Sequence, residues 1–283
     1  MVPAPSDRGL LPFLYGTAAG RLLLRPLISP SVSWFVGGFM DSRLSRGLIA
    51  PFIRNNGIQM TDYQDEQYKS FNDFFTRRIR PGARPMDLEP SHLMAPCDGR
   101  LSVYTIGADS VFTIKGSHYD VRALLGSDSR ATDFLGGTCL VFRLAVDDYH
   151  RYHYLDDGTK DENVFIPGVL HTVRPIALAH TAVFVQNCRE YTFLQTAHFG
   201  TVAQIEVGAM LVGKISNNQQ AGAFRRGQEK GKFLYGGSTI VVLLQKDAAE
   251  IDRRFWQATA QEMETRVKLG ERIGCSRTGG EYA

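Results

Sequence analysis

Toward the C-terminal end of the sequence, Gly236-Gly237-Ser238-Thr239 sets a serine behind two glycines and directly ahead of the β-branched run Thr239-Ile240-Val241-Val242. Two readings are open. Glycine supplies positive φ cheaply, so the segment can be a tight turn and nothing more. The same lack of a Cβ at Gly237 also lets the Ser238 hydroxyl reach the preceding carbonyl carbon and convert the amide to an ester. β-Elimination would then end one chain at residue 237 and leave dehydroalanine at 238. Hydrolysis would place a pyruvoyl group at the head of the last 46 residues.

Such chemistry needs a base for the serine hydroxyl and a group that orients the base. Asp147-Asp148-Tyr149-His150-Arg151-Tyr152-His153 offers two histidines three residues apart, which share a face on a helical turn and point apart on a strand. Three readings compete here: a polar strand end, a metal site with His118, or a catalytic pair. HxxH spacing is weak evidence for a metal. Asp98-Gly99 is a common turn signal, and Asp98 is also suited to orient a histidine. The charged run from Ala223 to Phe233 reads as a solvated loop, or as a brace for the cleavage segment with cations available to a phosphate.

The elements that must position these residues follow from pattern. Beyond Leu93 short β-like runs alternate with glycine, among them Leu101–Ile106, Val111–Lys115, Thr138–Leu144, Asn163–Pro167, Thr181–Val185, Tyr191–Thr196, Thr201–Val207, Met210–Ile215 and Thr239–Gln245. They predict a mostly antiparallel sandwich or barrel-like domain. Before it, residues 1–60 are apolar and arginine-rich, with short amphipathic helices expected over Leu10–Leu24 and Ser42–Arg54, broken by Pro26, Pro30 and Pro51. That opening suits a helical cap on the main domain and an interfacial surface for anionic headgroups. A polar helix is expected over Asp65–Tyr68 and a C-terminal helix within Asp247–Leu269. The fold class is therefore α+β, with a helical region over 1–84 and a β-rich catalytic domain over 85–283.

Composition narrows the function classes. With 283 residues, 43% apolar and 22% charged, the chain can bury a full core. A formal charge of +3 without a Lys/Arg block argues against nucleic acid. The four cysteines are far apart and form no CxxC pair, which fits a reducing compartment better than a zinc knuckle or a disulfide framework. Val32–Met40 is too short to span a bilayer, and no secretory pattern develops, so a cytoplasmic or peripheral protein is expected.

Taken in order, several segments resemble the phosphatidylserine decarboxylases over nearly the whole chain. They are Phe71-Asn72-Asp73-Phe74-Phe75 with Arg84-Pro85, Pro96-Cys97-Asp98-Gly99, Ile114-Lys115-Gly116, Asp148 to His153, Phe165-Ile166-Pro167-Gly168, Phe199-Gly200 leading to Val207-Gly208-Ala209, and Gly227 to Phe233 before Gly237-Ser238-Thr239. The resemblance implies self-cleavage between Gly237 and Ser238 by Asp98, His153 and Ser238, giving chains 1–237 and 238–283. It assigns His150 to the decarboxylation step. A pyruvoyl group from Ser238 would act as the electron sink in place of pyridoxal phosphate, with no metal. The implied substrate is phosphatidylserine, converted to phosphatidylethanolamine and CO2. The implied enzyme is homo-oligomeric and peripheral on the cytoplasmic face of a membrane, of the bacterial inner-membrane type. Two residues depart from the common pattern: Gly236 where many members have Leu, and Cys97 where many have Ala. Cys97 reads as a small packed residue. Outside the resemblance stand a pyruvoyl decarboxylase of a soluble amino acid and a non-catalytic lipid-binding module.

Overall fold

The computed structural model describes residues 10–114, 117–210, 214–235 and 238–277. Gly236 and Gly237, at the expected cleavage point, lie outside the described residues, as do Lys115 and Gly116. Thr17 divides the apolar opening. Its side chain accepts from the Gly20 amide at 2.9 Å, ending α1 (Leu10–Gly16) and capping α2 (Ala18–Leu27). Pro30 starts α3 (Pro30–Asp41), and Pro51 sits in the first turn of α4 (Ile49–Asn56), positions where a helix has no use for the missing N–H. Those two prolines therefore open helices instead of breaking them. Asp65–Tyr68 is not helical, because Gln64 ties this stretch to the returning chain through the carbonyls of Arg78 and Ile79. The short α5 (Phe71–Phe75) follows, with the Ser70 hydroxyl accepting from the Asp73 amide.

The β region centres on an open, antiparallel nine-stranded sheet. Its middle holds β1 (Gly99–Thr105), β2 (Thr138–Leu144), β4 (Arg189–Thr196), β5 (Gly200–Val207) and β7 (Ser238–Leu244), in the order β4-β5-β7-β2-β1. A smaller sheet pairs β3 (Arg151–His153) with β6 (Glu229–Phe233), with Ile215–Asn217 on its far edge. Side chains alternate across β7. Ile240, Val242 and Leu244 pack with Phe142, Tyr152 and Phe233 on one face, and Val241 and Leu243 with Val141, Ile205 and Phe193 on the other. With both faces covered, a continuous apolar strand is what the position requires.

Some expectations change. Thr181–Val185 is no strand: Val183–Gln186 forms a helical turn that places Phe184 against Tyr119. A short apolar run does not by itself reveal which period it follows. The C-terminal helix is α6 (Arg253–Ala260), shorter than Asp247–Leu269, because Ala249–Ile251 and Thr265–Val267 on either side are drawn into sheet edges. In the stretch Met210–Ile215, residues 211–213 lie outside the described residues, and the strand that follows is Ile215–Asn217. The run expected as a solvated loop contains β6. Within it Lys230 is buried against Glu206 at 2.8 Å, and Arg226 is engaged by Asp156 at 2.7 Å, so neither cation is available to a phosphate.

Candidate active site

Ser238 is the first residue of β7, pairs with Leu144 of β2, and is fully buried. Among the described residues its Oγ has no hydrogen-bond partner. A buried hydroxyl costs free energy when unpaired, and an Oγ without a protein partner at a strand start is one that chemistry can use. One residue on, Thr239, Arg143 and Arg100 form a row across β7, β2 and β1. Asp98, just ahead of β1, therefore lies at the same end of the sheet as Ser238, about two strand spacings or ~10 Å away.

Asp98 is held on every side. Arg84 donates to it through Nε at 3.0 Å and Nη2 at 2.8 Å, and the Leu269 amide donates at 2.8 Å. This is a two-point, charge-assisted clamp in a buried place. Burial opposes the Arg84 charge, but Asp98 and then Asp62 outweigh it and hold the guanidinium above its ordinary range. Cys97 is fully buried beside Asp98, and burial followed by the Asp98 charge pushes its thiol well up, which suits a packed side chain and not a nucleophile.

His153 comes to the same corner on β3. Its main-chain amide donates to Pro96, two residues before Asp98, at 2.8 Å. Its side chain is not hydrogen-bonded to Asp98, and among the described residues its Nδ1 has no partner. Burial pushes its pKa down to about 4, Arg151 adds to that push, and the carboxylates of Glu229 and Asp98 oppose it only in part. His153 is therefore neutral at pH 7, the state a base requires.

His150 sits where β6 ends. Its carbonyl accepts from the Phe233 amide at 2.9 Å, five residues before Ser238. The ring is fully buried, 4.0 Å from the ring of Phe75, and its Nδ1 lies 2.9 Å from the Asp148 carbonyl. A carbonyl can only accept, so Nδ1 carries the proton and Nε2 is the basic nitrogen of the ring. The turn before it is braced by Asp148, which accepts from Arg100 at 2.8 Å and the Ala145 amide at 2.7 Å, and by Arg77, which donates to the Asp147 and Asp148 carbonyls. Burial raises the Asp148 pKa, with Arg100 opposing.

Thus Asp98 and His153 share one corner of the sheet, and the His150 carbonyl is bonded to Phe233, the last residue of β6, five positions before Ser238. His118 is on a separate hairpin beside Thr113, and the described residues contain no group of three or more His, Cys, Asp or Glu placed to hold a metal ion. Sequence reasoning missed the roles of Arg84, Arg77, Asp148 and Asn72. For Asn72, Arg84 and Asp148 the one signal was membership of the runs Phe71–Phe75, Arg84-Pro85 and Asp147–His153, and Arg77 lies two residues beyond the first of these; membership does not say what each side chain touches.

A cavity of about 860 Å³ opens between α3 and the β region, lined by Trp34, Phe35, Phe39, Phe165, Leu234 and Tyr235 with Asp41, Asn72 and Lys214 among the few polar residues. On α3, Trp34 is 81% and Phe35 74% exposed. Among the described residues no single helix is long and apolar enough to cross a membrane, although α2 and α3 pass that test together as a pair bent by 53°.

Comparison with known proteins places these residues in context. The family model for phosphatidylserine decarboxylase matches residues 71–275. Phosphatidylserine decarboxylase proenzyme 2 of Clostridium acetobutylicum is 44% identical over 267 residues, which covers 94% of this chain and 91% of that protein. The phosphatidylserine decarboxylase proenzymes of Clostridium perfringens and Ruminiclostridium cellulolyticum are 38% and 39% identical, covering 92% and 94% of this chain and 90% of each relative.

Proposed function

Because the chain belongs to the phosphatidylserine decarboxylase family, as a carboxy-lyase that acts on phosphatidylserine and is made as a proenzyme, we propose that Ser238 is the residue it converts into its catalyst. The observation that carries this reading is the buried, unpartnered Ser238 Oγ at the start of a central strand. In self-cleavage Oγ attacks the Gly237 carbonyl carbon while His153 takes its proton, Asp98 favours the resulting imidazolium by its charge, and the Gly237–Ser238 C–N bond then breaks as that proton passes to the Ser238 nitrogen, leaving an ester. Elimination breaks the Oγ–Cβ bond and frees the Gly237 carboxylate. Water then replaces the dehydroalanine nitrogen, which leaves as ammonia. The pyruvoyl group so formed supplies the electron sink that lets the substrate carboxylate leave as CO2.

The site fits that group, since Oγ leaves behind a buried, uncommitted space beside strand β2. His150 Nε2 is the proton-exchange atom, held in tautomer by the Asp148 carbonyl and in place by Phe75. Burial excludes water from the corner where the proton must be delivered. The apolar cavity and the exposed face of α3 support a lipid substrate met at an anionic membrane surface. They favour phosphatidylserine over a soluble amino acid, and with them we place the enzyme peripherally, on our reading at the cytoplasmic face of a bacterial-type inner membrane. On this reading residues 1–84 are the membrane-associating region, residues 85–283 the catalytic domain, and the enzyme works as a homo-oligomer.

The decisive measurement is the intact mass of the purified protein. We expect two pieces divided between Gly237 and Ser238, the smaller with a blocked N-terminus, and an uncut chain for Ser238→Ala. A wild-type chain that stays whole at neutral pH, or a Ser238→Ala chain that is cut as efficiently as wild type, would remove the proposal.

A further inference from the structure

We propose that Asn72 is a positioning residue that ties the end of the exposed helix α3 to the main chain of Tyr235, three residues before Ser238. This rests on the reading that the chain is cut between residues 237 and 238. Asn72 lies on α5, is 5% exposed, and uses both ends of its amide. Its Nδ2 donates to Asp41 Oδ1 at 2.8 Å, and its Oδ1 accepts from the Tyr235 amide at 2.9 Å. Asp41 is the last residue of α3, whose Trp34 and Phe35 are the most exposed apolar side chains on that helix. The Tyr235 ring is seated edge-on against Phe71 at 4.9 Å and Phe75 at 5.4 Å, and Phe75 in turn meets His150 at 4.0 Å. Asp41, Asn72 and Tyr235 all line the apolar cavity.

Only a residue with a donor and an acceptor on one rigid plane serves both partners, and that is the chemistry of an amide. A movement of α3 when it meets lipid either breaks the Asp41 contact or is passed through Asn72 to the backbone that delivers Ser238. A hydrogen bond lasts over only a few tenths of an ångström, so the linkage is stiff. The position of the lipid-facing helix and the register of the reacting segment are thereby linked through one side chain.

The experiment exchanges the two partners in the full-length chain and follows cleavage by intact mass. Asn72→Asp keeps the acceptor for the Tyr235 amide but sets a carboxylate against Asp41, and cleavage is expected to slow by about ten-fold or more. The double variant Asn72→Asp with Asp41→Asn restores a donor between the two positions and is expected to return to within about three-fold of wild type. For fully cut Asn72→Asp protein, kcat on phosphatidylserine vesicles is expected to fall while KM stays within about two-fold, since substrate contact is not what the residue provides. Asp41 is exposed, so Asp41→Leu serves as a variant whose folding is not in question; it too is expected to slow cleavage, by a few-fold. Cleavage of Asn72→Asp and Asp41→Leu at the wild-type rate, or a slow Asn72→Asp chain that Asp41→Asn does not recover, would overturn the proposal. If wild-type protein itself is not cut at 237–238, it is the reading of Ser238 that fails and not this linkage.

Discussion

Helix α3 leaves Trp34 and Phe35 largely in the open, whereas strand β7 buries all seven of its residues between β5 and β2. The two segments are alike in composition, both apolar and nearly uncharged, and opposite in use. An exposed apolar helix is tolerated when something outside the chain covers it, and a lipid surface is the chemistry that fits an arginine-rich, aromatic opening. The buried strand has the reverse task. On the proposed reading the peptide bond ahead of Ser238 is cut, and residues 238–277 then hold their place by non-covalent contacts alone. Six register pairs with β5, seven with β2, and the strands Ala249–Ile251 and Arg272–Ser276 paired beside His92–Met94 keep them there. Each large apolar side chain in β7 contributes about 1.5–3 kcal/mol by burial, so covalent continuity at that point is dispensable.

This contrast predicts that disturbing the buried end costs both stability and cleavage, while removing the exposed side chains of α3, away from its Asp41 end, costs only encounter with lipid. The largest effect is expected for Arg84→Met, which leaves the Asp98 carboxylate buried without its counter-ion. We expect about 3–5 kcal/mol of stability to be lost in denaturant unfolding of the uncut Ser238→Ala background, and cleavage to be abolished in the native background. Near-wild-type cleavage in Arg84→Met would mean that Asp98 needs no clamp.

A smaller effect comes from pH. The folded pKa of His153 is about 4, below the ordinary value of 6.5, so the unfolded chain takes up a proton that the fold refuses. His153 therefore contributes its full share of stability above pH 6.5, and that share falls as pH drops from 6.5 toward 4. At about 1.4 kcal/mol per pH unit between 6.5 and about 4, roughly 3–4 kcal/mol is at stake. Comparing unfolding of the uncut chain with and without His153→Gln across that range isolates this contribution, and identical pH dependence would exclude it. The cleavage rate, if His153 is the base, should stay level from neutral pH to about 5 and fall only as pH nears 4.

The smallest effect on stability is expected for Trp34→Ser with Phe35→Ser. Both side chains are exposed, and the change should stay within about 0.5 kcal/mol per site, with cleavage intact. Decarboxylation of phosphatidylserine in anionic vesicles should nevertheless fall about ten-fold or more, because on the proposed reading the lost apolar area is what enters the acyl boundary. Unchanged vesicle activity would leave α3 without the role its exposure suggests.

How much was legible in the sequence varied with the kind of information each residue carried. Strands β2 and β7 are dense in β-branched and apolar residues between glycine and polar punctuation, and their expected bounds lie within a residue of those observed. β3 and β6 were not read as strands. Arg-Tyr-His and Glu-Lys-Gly-Lys-Phe carry charges that ordinarily face water, and only the pairing of Arg151 with Glu229 and of Lys230 with Glu206 makes them buried strands. In the same way the helix expected over Asp247–Leu269 was cut short by sheet edges that no local pattern announces.

The sequence alone determined which chemical groups are present and in what order. A serine after two glycines, an Asp-Gly turn and two histidines three apart supply nucleophile, base and carboxylate, and it was their order among the runs that resemble the phosphatidylserine decarboxylases that pointed to the reaction class. Only the tertiary structure decided their relations. It clamps Asp98 with Arg84, sets the His150 tautomer with a backbone carbonyl, lowers the His153 pKa by burial, and runs Asn72 between α3 and Tyr235. Each of those depends on residues tens of positions apart meeting at hydrogen-bond distance in a place without water, and neither distance nor dielectric is written in a linear chain.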